Sequence, residues 1–147
     1  MGLTQIALIV YVATAWYLVG AVWFGQRVQF PLLRHVDGDF PDYMAAHNRR
    51  FGPVLWPAVA LNALALVLMV LGLRPERVSL LLVLIALALI IITGAITAAM
   101  VVPRLIRLST TREEATLESL VRVQWICVAS QTANGLLALV MMALSTV

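Results

Sequence analysis

The sequence predicts an all-α fold, a four-transmembrane-helix antiparallel bundle, and three observations predict it. Four apolar runs, at about 3–25, 51–73, 78–102 and 123–147, contain no charged residue. Each is about the 20 residues that an α-helix needs to cross a ~30 Å hydrocarbon core. The runs are continuous rather than alternating, so they read as helices and not as strands of a barrel. Composition agrees: 63% of the 147 residues are hydrophobic and 12% are charged, against about 25% charged in a soluble domain. Nothing is left over for a soluble domain, and residues 1–147 read as one transmembrane domain.

The first run has no basic residues before it and exceeds the apolar stretch of a signal peptide, so it is expected to stay as a signal anchor. After it, Asp37-Gly-Asp39 is a turn signal, with Asp39 placed to cap a helix opening at Phe40-Pro41. This predicts an amphipathic helix over 40–50 leading into the second run. Pro53 and Pro57 in that run remove backbone donors and are expected to bend or loosen it. Arg74-Pro-Glu-Arg77 is a short turn and makes the second and third helices antiparallel neighbours. Ser109-Thr-Thr111 followed by Glu113 and Glu114 reads as a hydroxyl cap with acids in the first helical turn.

Arginine placement predicts the topology. Arg27, Arg34, Arg49 and Arg50 lie between the first and second runs, and Arg104, Arg107, Arg112 and Arg122 between the third and fourth. Only Arg74 and Arg77 lie between the second and third. By the positive-inside rule the first and third connections face the cytoplasm and both termini face outward. The net charge of +3 then meets anionic headgroups rather than nucleic acid. A bacterial inner (plasma) membrane is the expected location.

An offset of 72 residues pairs Pro31 with Pro103, Leu33 with Leu105, Asp42 with Glu114, Arg50 with Arg122 and Asn62 with Asn134. Duplication and coincidence both account for so few matches. Duplication would make the bundle two tandem helical hairpins about a pseudo-twofold axis along the membrane normal.

Within the runs the polar residues are the candidates for chemistry. Asn62 and Asn134 need partners in hydrocarbon and should face the bundle interior. Gln124, Cys127, Gln131 and Asn134 recur every three or four residues and form one stripe on the fourth helix. The stripe reads equally as interhelical glue and as the polar wall of a ligand cavity. On the helix over 40–50, the residues Phe40, Tyr43, His47 and Arg50 share a face. Tyr43, His47 and Arg50 are the catalytic candidates: a phenol, an imidazole that exchanges protons near neutral pH and a guanidinium suit an anionic or phenolic head group. An interfacial helix with ordinary Tyr and Arg anchors has the same pattern. Arg27 either snorkels to headgroups or turns inward with Arg122. The ligand-binding candidates are thus Arg27, Arg122, Gln124, Gln131, Asn134 and Asn62. Two histidines and one cysteine deep in the fourth run predict no metal site and no disulfide. No nucleotide fingerprint, phosphate loop or catalytic triad order occurs, and no cofactor is predicted.

Gln29-Phe-Pro-Leu32, Phe40-Pro-Asp-Tyr43, His47-Asn-Arg-Arg50, Val101-Val-Pro103 and Leu120-Val-Arg-Val-Gln-Trp-Ile126 resemble small four-helix bacterial membrane proteins related to the anthrone-oxygenase-like family. The resemblance runs the whole length on short motifs. It implies a four-helix membrane fold and oxidation of polycyclic phenolic substrates without metal or flavin. Where that family often reads Asn-Trp-Ile-Arg, this chain has Gln124-Trp-Ile-Cys127. His47-Asn-Arg-Arg50 also resembles the Arg-His-Asn cluster of small glutathione-using membrane enzymes, here without the Glu beside the Asn.

Three functions follow as expectations. The first is a lipophilic small-molecule site, oxygenase-like if catalytic, opening to the cytoplasmic leaflet. The second is a non-catalytic subunit or scaffold of a membrane complex. The third is a glutathione-dependent membrane enzyme. The expected partners are the lipid bilayer, a lipophilic small molecule, and a second copy of the chain or a membrane subunit.

Overall fold

The computed structural model describes residues 2–146; Met1 and Val147, the expected end of the fourth run, lie outside the described residues. Four helices are long and apolar enough to cross a membrane: α1 Leu3–Leu33, α2 Phe40–Val70, α3 Leu80–Leu108 and α4 Glu114–Thr146. No strand occurs among the described residues. At 1.5 Å per residue these helices are roughly 45 Å long and overshoot a ~30 Å core. The excess lies at the arginine-bearing end. The amphipathic segment over 40–50 is not a separate helix but the first turns of α2, and α4 likewise begins at Glu114, well before its apolar run.

Local chemistry explains the ends. Asp39 Oδ1 accepts from the Asp42 amide at 3.3 Å, and Pro41 stands in the first turn of α2. α2 closes with Gly72 at φ +115°: the Leu73 amide donates to Leu68 O and the Gly72 amide to Met69 O. This is the paired bonding of a Schellman C-cap, which favours glycine. Ser79 Oγ then caps α3 by accepting from the Leu82 amide. The hydroxyls of Ser109 and Thr110 behave differently from expectation. They donate back to Ile106 O and Arg107 O and close α3 instead of opening α4. The Thr116 hydroxyl pairs with the Glu113 carboxylate at the start of α4.

α2 stays one continuous helix through Pro53 and Pro57. A change of helix type accompanies Pro31 and Pro103. Each is preceded by a five-residue π segment, Gly25–Gln29 in α1 and Thr97–Val101 in α3, the second 72 residues after the first. The Phe30 amide reaches Gly25 O and the Val102 amide reaches Thr97 O. One added residue in the turn relieves the clash of a proline ring with the carbonyl four residues back.

Each helix packs on its chain neighbours and α4 closes on α1, giving an all-α antiparallel bundle. The outer faces are apolar and exposed, as at Ile9, Trp56, Leu64, Ile91 and Leu139. With the helix lengths, this makes the chain a multi-pass membrane protein that meets the bilayer with these faces. At the arginine-bearing end the two loops are joined by Arg112, which donates to Val36 O at 2.8 Å and Arg34 O at 3.1 Å and lies over the Phe40 ring. Inside are two apolar clusters. One, near the α2–α3 turn, holds Leu8, Tyr11, Leu66, Met69, Val83 and Met141; the other, near the loops, holds Phe30, Leu33, Phe40, Met44, Leu108 and Leu120. Asn62, Gln131 and Asn134 lie between them along their helices.

α1 and α4 pack tightly at Gly135, where an added Cβ would stand 2.8 Å from Val19 Cγ2. Valine is stiff about χ1 and yields poorly. Gly135→Ala is therefore expected to lower stability by about 1–3 kcal/mol in thermal unfolding in detergent. Gly94→Ala, at a helical site with open space around it, should leave stability unchanged or raise it.

Candidate functional site

The first candidate site is a groove of about 310 Å³ lined by Tyr43, Ala46, His47, Arg50, Phe51 and Val54. Spacings of three and four residues put Tyr43, His47, Arg50 and Val54 on one face of α2. The same rule grouped Phe40 with them, but Phe40 is 1% exposed and belongs to the core beneath the loops. His47 is fixed from two sides. Its ring lies 5.1 Å from that of Phe51, and Gln29 Nε2 lies 2.7 Å from its Nε2 and 2.9 Å from its Nδ1. An amide nitrogen only donates, so it pairs with whichever of the two ring nitrogens is unprotonated, and the contact favours a neutral imidazole. His47 precedes the apolar run that begins at Phe51, and burial lowers its pKa from the ordinary value. Arg50 is exposed and has no ion-pair partner among the described residues. The site thus presents a phenol, a neutral imidazole and an unpaired guanidinium beside an apolar flank.

Gln29 was not among the sequence candidates. Its signal was an amide two residues before Pro31, at the end of an apolar run. The π segment aims it at α2, while Gln26 of the same segment donates to Val121 O of α4 at 3.2 Å.

The second candidate site is the polar layer. The Tyr11 hydroxyl donates to Asn134 Oδ1 at 2.9 Å, and Asn62 Nδ2 donates to Tyr11 O at 3.1 Å and Thr14 Oγ1 at 2.8 Å. α1 is thereby bonded to both α2 and α4 deep in the apolar zone. Asn62 and Asn134 are fully buried, and Gln131 is 3% exposed. Asn62 Oδ1, Gln131 Nε2, Asn134 Nδ2 and Gln26 Oε1 have no hydrogen-bond partner among the described residues. Along the α4 stripe Gln124 is half-buried, Cys127 meets Thr97 at 3.8 Å, and the adjacent Ser130 accepts from Thr93 at 2.8 Å. Tyr11 was missed as a site residue because its partner lies 123 positions away.

The structure brings Tyr43, His47 and Arg50 together. The other candidates do not line their groove. Asn62, Gln131 and Asn134 are enclosed by protein. Arg122 is exposed on α4, and Arg27 lies over the rings of Trp23 and Trp125. A further groove of about 300 Å³ is lined by Pro103, Arg104, Arg107, Ala115, Thr116 and Ser119, with Arg104 Nε donating to Ser119 Oγ at 2.9 Å. No cluster of three His, Cys, Asp or Glu side chains occurs among the described residues.

Gln131→Leu deletes a buried donor that has no partner among the described residues, and is expected to raise stability by about 1 kcal/mol. Tyr11→Phe breaks the bond between α1 and α4 and should lower stability by about 1–2 kcal/mol. A double-mutant cycle with Asn134→Ala, read by thermal unfolding, separates that bond from packing. The His47 ring should titrate below ~6.5 when followed by NMR. Because burial disfavours the imidazolium, its contribution to stability is present above that value and is lost as pH falls through the folded pKa. No protein-family model, curated protein or solved structure matches the chain.

Proposed function

We propose that this multi-pass membrane protein binds a lipophilic small molecule with an anionic or phenolic head, taken from the inner leaflet of a bacterial plasma membrane. The observation that carries the reading is the α2 groove, where Tyr43, His47 and Arg50 stand together beside Ala46, Phe51 and Val54. The guanidinium of Arg50 attracts the head group and gives it charge-assisted hydrogen bonds. The Tyr43 hydroxyl is a second donor, and His47 becomes a base for a phenolic proton when the ligand displaces the Gln29 amide from its unprotonated ring nitrogen. The apolar flank takes the first carbons of the tail. Proton abstraction from a phenol is the step these groups supply toward the oxidation that the anthrone-oxygenase-like resemblance implies.

The arginine count supports the orientation: eight at the end that bears the groove against two at the other set the first and third connections in the cytoplasm and both termini outside. Duplication of a hairpin is part of the same reading. The two π segments stand at the 72-residue spacing of Asn62 and Asn134, and so do the fully buried pairs Leu66 and Ala138, and Met69 and Met141.

Native mass spectrometry of protein extracted directly from its own membrane should show an amphiphile bound to the wild-type chain. Arg50→Gln should weaken binding of a long-chain alkylphenol or fatty acid by about tenfold or more, the worth of one charge-assisted hydrogen bond. Unchanged affinity in both Arg50→Gln and Tyr43→Phe would sink the reading.

A further inference from the structure

On a separate face, away from the α2 groove, Arg27 stands between two tryptophans. Its guanidinium carbon lies 5.8 Å from the Trp23 ring centroid and 5.4 Å from that of Trp125. The two rings meet edge to face, with centroids 5.8 Å apart. Trp23 Nε1 donates to Thr132 Oγ1 at 3.0 Å, which fixes its ring against α4. The cluster joins α1 to α4 and is exposed on the outer surface. It stands where the apolar run of α1 gives way to the arginine-bearing end, the level at which tryptophan sits at a membrane boundary.

Two features set Arg27 apart from an arginine that merely flanks a span. Its position is determined: the π segment Gly25–Gln29 contains it, and the two rings hold its charge by cation–π attraction. Its hydrogen-bonding capacity is unspent, since among the described residues it has no ion pair or hydrogen bond through the guanidinium. A guanidinium lying over aromatic rings keeps its N–H groups in plane and free for a bidentate oxyanion. Trp125 Nε1 also has no partner among the described residues, and adds a donor beside it.

We propose that Trp23, Arg27 and Trp125 form a site for the phosphate of an anionic phospholipid. Charge complementarity and interfacial depth select the occupant. A fixed cation with free donors meets the lipid phosphate at the level of the headgroups, and the exposed apolar faces of α1 and α4 beneath it accept the chains. A zwitterionic lipid brings the same phosphate together with a choline cation that the arginine repels.

Tryptophan fluorescence in nanodiscs tests this. Trp16 and Trp56 are replaced by Phe, leaving Trp23 and Trp125 as reporters. Phosphatidylglycerol carrying brominated acyl chains is then compared with brominated phosphatidylcholine at equal mole fraction. The expected result is stronger quenching by the anionic lipid, with a preference of about fivefold, the factor one arginine supplies near an anionic surface. Arg27→Gln should abolish the preference, and Arg34→Gln, at the same end of the bundle, should leave it intact. Equal quenching by the two lipids overturns the proposal. So does an equal loss in the two arginine variants, which assigns the preference to general charge. If Arg27→Gln does not fold, native mass spectrometry of the wild-type and Trp125→Leu chains with an equimolar mixture of the two lipids decides. Retained phosphatidylglycerol that is lost in Trp125→Leu supports the site, and identical retention in both chains overturns it.

Discussion

A polar group inside a membrane protein must find its partner within the protein, and three buried side chains organise the bundle on that condition. Tyr11 of α1 donates to Asn134 of α4, and Asn62 of α2 donates to the backbone of α1 at Tyr11. Apolar contact alone orients helices weakly in lipid, because the acyl chains compete for the same surfaces. These hydrogen bonds have no such competitor. They set the rotation and depth of α1 against both neighbours, so that Gly135 can meet Val19 and the two apolar clusters form on either side.

From that fixed level, the π segment of α1 determines what the arginine-bearing end presents. An added residue before Pro31 turns Gln29 toward His47 of α2, Gln26 toward Val121 of α4 and Arg27 toward Trp125. A regular helix would have kept the register of the preceding turns and lost part of this set. The same device before Pro103 ends on Val101, which packs in the cluster beneath the loops. The tryptophan-flanked arginine and the contact that holds His47 in the α2 groove therefore both depend on one local deviation in α1. Orphaned amide atoms in the bundle interior carry a cost of about 1–3 kcal/mol each, which the polar layer tolerates because the bonds it does make position three helices.

Much of the fold was legible because its signals are local. Asp39 and Pro41 announce the start of α2, and the apolar runs announce the spans by length alone. The face shared by Tyr43, His47 and Arg50 follows from helical spacing. Other features were not legible, for a common reason. Ser109 and Thr110 fit a cap for either adjacent helix, and only the path of the loop decides between them. Phe40 shares the spacing of Tyr43 yet is buried, since Arg112 and the first loop close over it. Tyr11 reads as one more aromatic in an apolar run until α4 is beside it.

The sequence by itself determined four apolar helices, their order and antiparallel course, and the gathering of arginines at one end, because hydropathy, charge and turn chemistry act within a few residues or across a whole bilayer. Only the tertiary structure decided which polar atoms meet: Tyr11 with Asn134, Gln29 with His47, Arg27 with Trp23 and Trp125. Those meetings depend on how far each helix is rotated and shifted against the next. Buried hydrogen bonds, the approach at Gly135 and the added residue before Pro31 fix that rotation together, and no single stretch of the chain encodes it.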